Sequence, residues 1–277
     1  MSEQPFTITI RPRSGWINLN LRELWRYKEL FYIFAWRDIK VRYKQTIVGV
    51  LWAILQPFFS MVIFSVFFGG LGKIPSDGIP YPVFVFSGLI FWNYFATALG
   101  GSSNSLLYNE GIIKKIYFPR LLLPLSSTTT PIIDFCIATM VLFGIMLYYH
   151  FTPSIIGILL IPVLVLVTLL AASGLGAFLA AINVRYRDVR EVLPFFIQAL
   201  FFLTPVIYPS TLVPAKFQWV LGLNPMTGII EAARAALVGN GQINVQLLLL
   251  SGAVALMLFI FGMYYFKKTE RVFADIV

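Results

Sequence analysis

The stretch RDIKVRYKQTIVGVLWAILQPFFSMVIFSVFFGGL, residues 37–71, places Arg37, Lys40, Arg42 and Lys44 directly ahead of a long apolar run. Its apolar part, 49–71, has spanning length. A helix rising 1.5 Å per residue needs about 20 apolar residues to cross ~30 Å of hydrocarbon. Outward from it, 83–107, 125–149, 155–182 and 247–266 are further spans, and 192–208 is a shorter one. With the N-terminus in the cytoplasm, the inner segments hold Arg11, Arg13, Arg22, Arg26, Lys28, Arg37, Lys40, Arg42, Lys44, Lys114, Lys115, Arg120, Arg185, Arg187, Arg190, Lys267, Lys268 and Arg271. Of 21 Lys and Arg, only Lys73, Lys216 and Arg234 fall outside. Adding or removing one span would move every later loop to the wrong side. The sequence therefore predicts an all-α integral membrane protein with six transmembrane helices and cytoplasmic N- and C-termini.

Composition agrees. Of the 277 residues, 58% are hydrophobic and 12% charged, and the mean hydropathy is +0.82. That excludes an ordinary soluble domain. The net charge of +9 lines the bases of spans, so it reads as a topology signal and a contact to anionic membrane lipid, with no nucleic acid implied. No cleavable leader pattern precedes the first span. Cys136 reads as a small buried apolar residue, and His150, with no second ligand nearby, makes no metal site.

Residues 1–46 form a cytoplasmic segment and 47–277 the membrane domain. Phe6, Ile8 and Ile10 alternate with polar residues in 1–18. Between Asn20 and Phe34, Leu21, Leu24, Trp25, Leu30, Phe31 and Phe34 recur among charges at helical spacing, which predicts an amphipathic helix in the membrane interface. Gln56-Pro57 predicts a kink in the first span. Residues 109–124 form a basic inner loop, and 150–154 a tight outer turn. The outer segment 209–246 contains two short helices, 215–221 and 226–238, broken at Asn224-Pro225 and too polar to span.

No catalytic constellation emerges. The fragment Gly69-Gly70-Leu71-Gly72-Lys73-Ile74 lacks the spacing and the Ser/Thr of a phosphate-binding loop, and it lies outside the membrane. The chain is not an enzyme on this reading. Asp134 is the sole ionisable group deep in a span; it either faces a polar path or bonds a neighbouring helix near residues 128–130. One such group is weak support for an ion-coupled carrier. Asp188 and Glu191, set among Arg185, Arg187 and Arg190, fit ion pairing better than a transferase dyad.

Four stretches resemble the permease subunit of type-2 ABC exporters of lipid-linked polysaccharide (O-antigen, capsule and teichoic acid). They are RDIKVRYKQTIVGVLWAILQP (37–57), NEGIIKKIYFPRLLLPLS (109–126), NVRYRDVREVLPFFIQALFFLTPVIYP (183–209) and LNPMTGIIEAARAAL (223–237). The resemblance implies a permease homodimer in the bacterial inner membrane, resting on two cytoplasmic ABC ATPase subunits that bind ATP and Mg. It implies an undecaprenyl-linked glycan as substrate, a coupling helix at about 109–120 and periplasmic gate helices within 209–246. The same six-span plan serves exporters of drugs or small lipids. No carbohydrate-binding module is present in these residues.

Under this resemblance, Arg37, Lys40, Arg42 and Lys44 are candidates for holding a pyrophosphate, with Asp38 orienting Arg42; any basic run would equally serve topology. Phe58, Phe59, Phe195, Gln198 and Phe202 are candidates for a ring-lined sugar path, packing being the plainer alternative. Glu110, Ile112, Ile113, Lys114, Lys115, Ile116 and Phe118 are expected to dock the ATPase, isoleucines and phenylalanine in a groove and charges at its rim. Trp219, Met226, Glu231 and Arg234 are expected in the gate, on helices resting at the outer rim, with Glu231 and Arg234 pairing locally.

Overall fold

The computed structural model describes residues 21–44, 47–186, 188–238, 243–270 and 273. The expectations for 1–18, Arg187, Arg271 and the 239–242 part of the outer segment lie outside the described residues. Every regular element among the described residues is helical.

Two helices, α1 (Leu21–Arg26) and α2 (Lys28–Tyr43), lead in. The helix continues past Phe34, so Arg37, Lys40 and Arg42 lie on α2 and Lys44 at its C-terminal cap. The first span is α3 (Ile47–Phe64), continued by a π-helical turn, Ser65–Leu71. Pro57 removes one backbone donor within α3, and the Ser60 hydroxyl donates 2.9 Å to the Gln56 carbonyl beside it. Next come α4 (Tyr81–Tyr108) and α5 (Glu110–Ile113). The third span is α6 (Leu122–Thr129) followed by α7 (Ile132–Tyr148). The sequence reading made it one helix. Pro131 separates the two, because a proline interrupts the hydrogen-bond ladder, and Asp134 consequently lies in the first turn of α7.

After the turn at His150, whose φ is 60°, come α8 (Ile155–Arg185), α9 (Val189–Leu203), α10 (Gln218–Leu223), α11 (Pro225–Val238) and α12 (Val245–Thr269). Five of these segments are long and apolar enough to cross a membrane. The 15 residues of α9 rise roughly 22 Å, short of a full crossing.

The core is α4, of whose apolar window 78% is buried in the protomer, against 11–33% for the other four spans. It packs on α3, α6, α7, α8, α9 and α11. Behind it, α8 packs on α12 and α11. Backbone closeness holds these pairs together: a Cβ at Gly262 would overlap the Gly174 carbonyl, and one at Gly157 would overlap Ala236. Small residues let membrane helices approach this closely, which gains dispersion contact where lipid offers no hydrophobic drive. Cys136, read from sequence as buried, is exposed on α7. Among apolar neighbours in a span, sequence does not say which face meets lipid.

Candidate functional site

Of the four cations before the first span, Arg37, Lys40 and Arg42 lie on α2 and Lys44 caps its end. Arg37, Lys40 and Lys44 share one stripe by helical spacing, while Arg42 projects from another side. Arg37 pairs with Asp38 at 2.7 Å and lies over the Phe34 ring. Lys40 lies over the Trp36 ring, 5.3 Å from its centroid. Arg42 pairs with Asp134 of α7 at 2.5 Å, and the Tyr43 hydroxyl donates to the same carboxylate. The expected orientation of Arg42 by Asp38 is therefore corrected: adjacent Arg37 takes Asp38, and Arg42 turns to the span. Asp134 is likewise held by α2, not by residues 128–130. The start of α7 favours a carboxylate through its dipole. Burial and Asp134 raise the Tyr43 pKa, so the hydroxyl keeps its proton and donates.

Of the ring candidates, Phe58, Phe59, Phe195 and Phe202 are exposed, as is Gln198. Phe58 touches Phe59, with centroids 6.3 Å apart, and neither meets Phe195 or Phe202. The rings that join α3 to α9 are Phe64 and Phe201, stacked at 5.7 Å, with Trp92 of α4 at 5.6 Å from Phe201. Sequence reasoning missed this trio. The signal was a crowd of phenylalanines, and periodicity in an all-apolar helix does not rank its faces.

In the inner loop, Ile113 and Phe118 are buried. Phe118 packs on Phe34 at 5.4 Å, tying the loop to α2. These two side chains are thus turned inward and are not available to a partner's groove, a correction to the expected docking set. Ile116 and Tyr117 face out at 51% and 83% exposure. Lys114 pairs with Glu110 at 2.6 Å. Tyr108, Gly111, Ile112, Lys115 and Ile116 line a shallow groove of about 400 Å³. The loop's far end is strapped to α12: Glu270 accepts from the Arg120 amide at 3.0 Å, its carbonyl accepts from the Arg120 guanidinium at 3.1 Å, and Lys267 pairs with its carboxylate at 2.6 Å.

The outer segment departs furthest from expectation. Trp219 on α10 is 66% exposed, whereas Met226, Ile229, Ile230, Ala233 and Leu237 make α11 a buried element against α4, α8 and α12. Arg234 is buried and forms no ion pair with Glu231. It donates to the carbonyls of Phe84 (3.1 Å), Pro205 (2.7 Å) and Val206, with its guanidinium 3.7 Å from the Phe84 ring centroid. The Tyr81 hydroxyl donates 2.6 Å to the Ile207 carbonyl, and the Asn224 amide 2.7 Å to the Thr204 hydroxyl. Irregular backbone that is buried, as at Thr204, Val206 and Ile207, needs such protein partners. Burial lowers the Arg234 pKa, opposed by Glu231, Tyr81 and Asp77; a guanidinium with three acceptors remains a cation.

Residues 29–238 match the family described as ABC-2 type transporter. This chain belongs to the ABC-2 type transporter family. The match opens one residue into α2 and closes at the end of α11, so it spans nearly all of α2, the strapped loop and the Arg234 cluster. Two relatives match about nine-tenths of this ABC-2 chain and a third matches 72%. The O-antigen export system permease protein RfbA of Klebsiella pneumoniae is 29% identical over 90% of this chain and 95% of its own length. The protein of the same name from Myxococcus xanthus is 28% identical over 92% and 98%. The polysialic acid transport protein KpsM of Escherichia coli is 24% identical over 72% and 78%. An ABC-2 chain of this kind is a multi-pass membrane transport subunit.

Proposed function

We propose that this chain is the permease subunit of an ATP-driven exporter that moves an undecaprenyl-linked polysaccharide, of O-antigen, capsule or teichoic-acid type, across the bacterial inner membrane. The observation that carries this reading is near-full-length similarity to export permeases named for O-antigen. Two copies form the path, and two cytoplasmic ABC ATPase subunits bind ATP and Mg and drive transport by hydrolysis. In this reading α9 completes a sixth span together with the capped backbone after it, and both termini face the cytoplasm. Arg37, Lys40 and Lys44 on their shared stripe meet the substrate's pyrophosphate at headgroup depth, where guanidinium and ammonium groups complement phosphate oxygens. The outward residues of the 110–117 loop meet the ATPase, and α10 with α11 forms the outer gate.

The reading is tested by reconstituting the permease with the ATPase encoded beside it and measuring ATP hydrolysis. A lipid-linked glycan should stimulate hydrolysis, and hydrophobic drugs or short lipids should not. Stimulation by drugs with none by glycan would move the chain to the small-molecule class.

A further inference from the structure

A cavity of about 440 Å³ opens between the end of α2 and the spans α3, α4 and α7. Each span presents an i, i+4 pair to it: Trp52 and Gln56 from α3, Asn93 and Thr97 from α4, Asp134 and Ala138 from α7. Arg42 lies against its wall, paired with Asp134. Gln56, Asn93 and Thr97 form no side-chain hydrogen bond among the described residues. Two amides and a hydroxyl therefore line the cavity with no partner among the described residues. Gln56 lies roughly 14 Å along α3 from Ile47. Gln56 and Thr97 are exposed and Asn93 is half-buried, so all three are open to a ligand in the cavity.

Resting on the exporter reading, we infer that this cavity is a subsite for a neutral hexosyl residue of the lipid-linked glycan during its passage. The chemistry selects that class. The one cation and one anion at the wall are paired to each other, so the cavity offers no net charge to a phosphate. Amides both donate and accept, which suits sugar hydroxyls that do the same. Trp52, 56% exposed, supplies a flat indole beside them for the CH face of a pyranose. The volume falls in the range of small-molecule sites, about 300–1,000 Å³. None of these residues belongs to the phosphate stripe on α2 or to the ring set on α9.

The test uses native mass spectrometry of the permease in lipid nanodiscs, titrated with a prenyl diphosphate and with the same compound bearing a disaccharide. Wild type should prefer the glycosylated compound by about tenfold, the size of one or two added hydrogen bonds. The double variant Gln56→Leu with Asn93→Leu should bind both compounds alike at unchanged oligomeric mass. Thr97→Val, which keeps its shape and loses only the hydroxyl, should lower the preference in part, so the outcome does not depend on the double variant folding. A retained preference in all variants, or none in wild type, overturns the subsite. Loss of oligomeric mass would make the amides subunit contacts, and phosphatidylglycerol retained by wild type but not by the variant would make this a phospholipid headgroup site; either result overturns it. Failure of the exporter reading is separate, because it shows in glycan-stimulated hydrolysis by the wild-type complex.

Discussion

Arg234 is the residue that ties α11 to α4 and to the backbone past α9. Its three donors serve carbonyls from two segments, the start of α4 and the backbone just past α9. A lysine offers one flexible ammonium in place of that planar fork. Arg234→Met leaves buried carbonyls without donors and should cost about 3 kcal/mol or more. Arg234→Lys should recover less than half of the loss. Thermal unfolding of purified permease in detergent reads both, and full recovery by lysine would show that charge alone suffices. Gly88 makes room for this side chain, since a Cβ there would lie 2.7 Å from a guanidinium nitrogen. From sequence, Arg234 was legible only as an outer cation three residues from Glu231. Its carbonyl partners are 28 to 150 residues distant, and no local spacing points to them.

At the scale of elements, the inner loop divides into an inward and an outward face. Phe118 is 3% exposed and packs on Phe34 of α2, whereas Ile116 is half exposed and lines the groove. Phe118→Ala should destabilise the protomer by about 3–5 kcal/mol, the usual loss for a core phenylalanine. Ile116→Asp should leave stability within about 0.5 kcal/mol, as for other surface changes, while weakening co-purification with the ATPase. Parallel melting and pull-down measurements separate the two effects, and intact pull-down of Ile116→Asp would place the ATPase elsewhere. The sequence contained the amphipathic pattern of this loop but not its polarity. A four-residue helix such as α5 has too little period to define a face, so the partner across the gap decides which side is buried. The break between α6 and α7 follows the same logic: Pro131 was in view, yet only the fold puts Asp134 at a new helix start beside α2.

For the whole molecule, burial separates a rigid centre from surfaces open to lipid or to other subunits. Two helices of the outer segment lie on opposite sides of that divide, with Trp219 exposed and Met226 fully buried. A cysteine at Trp219 should react with a membrane-impermeant thiol reagent in both resting and ATP-bound complexes. A cysteine at Met226 should stay unreactive at rest and label only when α11 leaves its seat against α4, α8 and α12. Labelling of Met226→Cys that is equally low in both states would mean that α11 is fixed scaffold and that any outer gate lies in α10 alone. Exposure of Cys136 on α7 calls for a Cys136→Ser background in that assay.

Sequence by itself determined the five long apolar spans and their order, because the cost of burying charge and bare backbone in hydrocarbon acts on each segment separately. It determined the membrane class and the similarity on which the exporter reading rests. Tertiary structure alone decided that α11 is buried rather than resting on a rim, that Arg42 serves Asp134 rather than Asp38, and that Phe64 and Phe201 join α3 to α9. It also brought Gln56, Asn93 and Thr97 around one cavity. The reason is physical. In a helix that is apolar all round, hydropathy states that a segment enters the membrane, and the choice of inward face depends on close contacts between segments far apart in the chain.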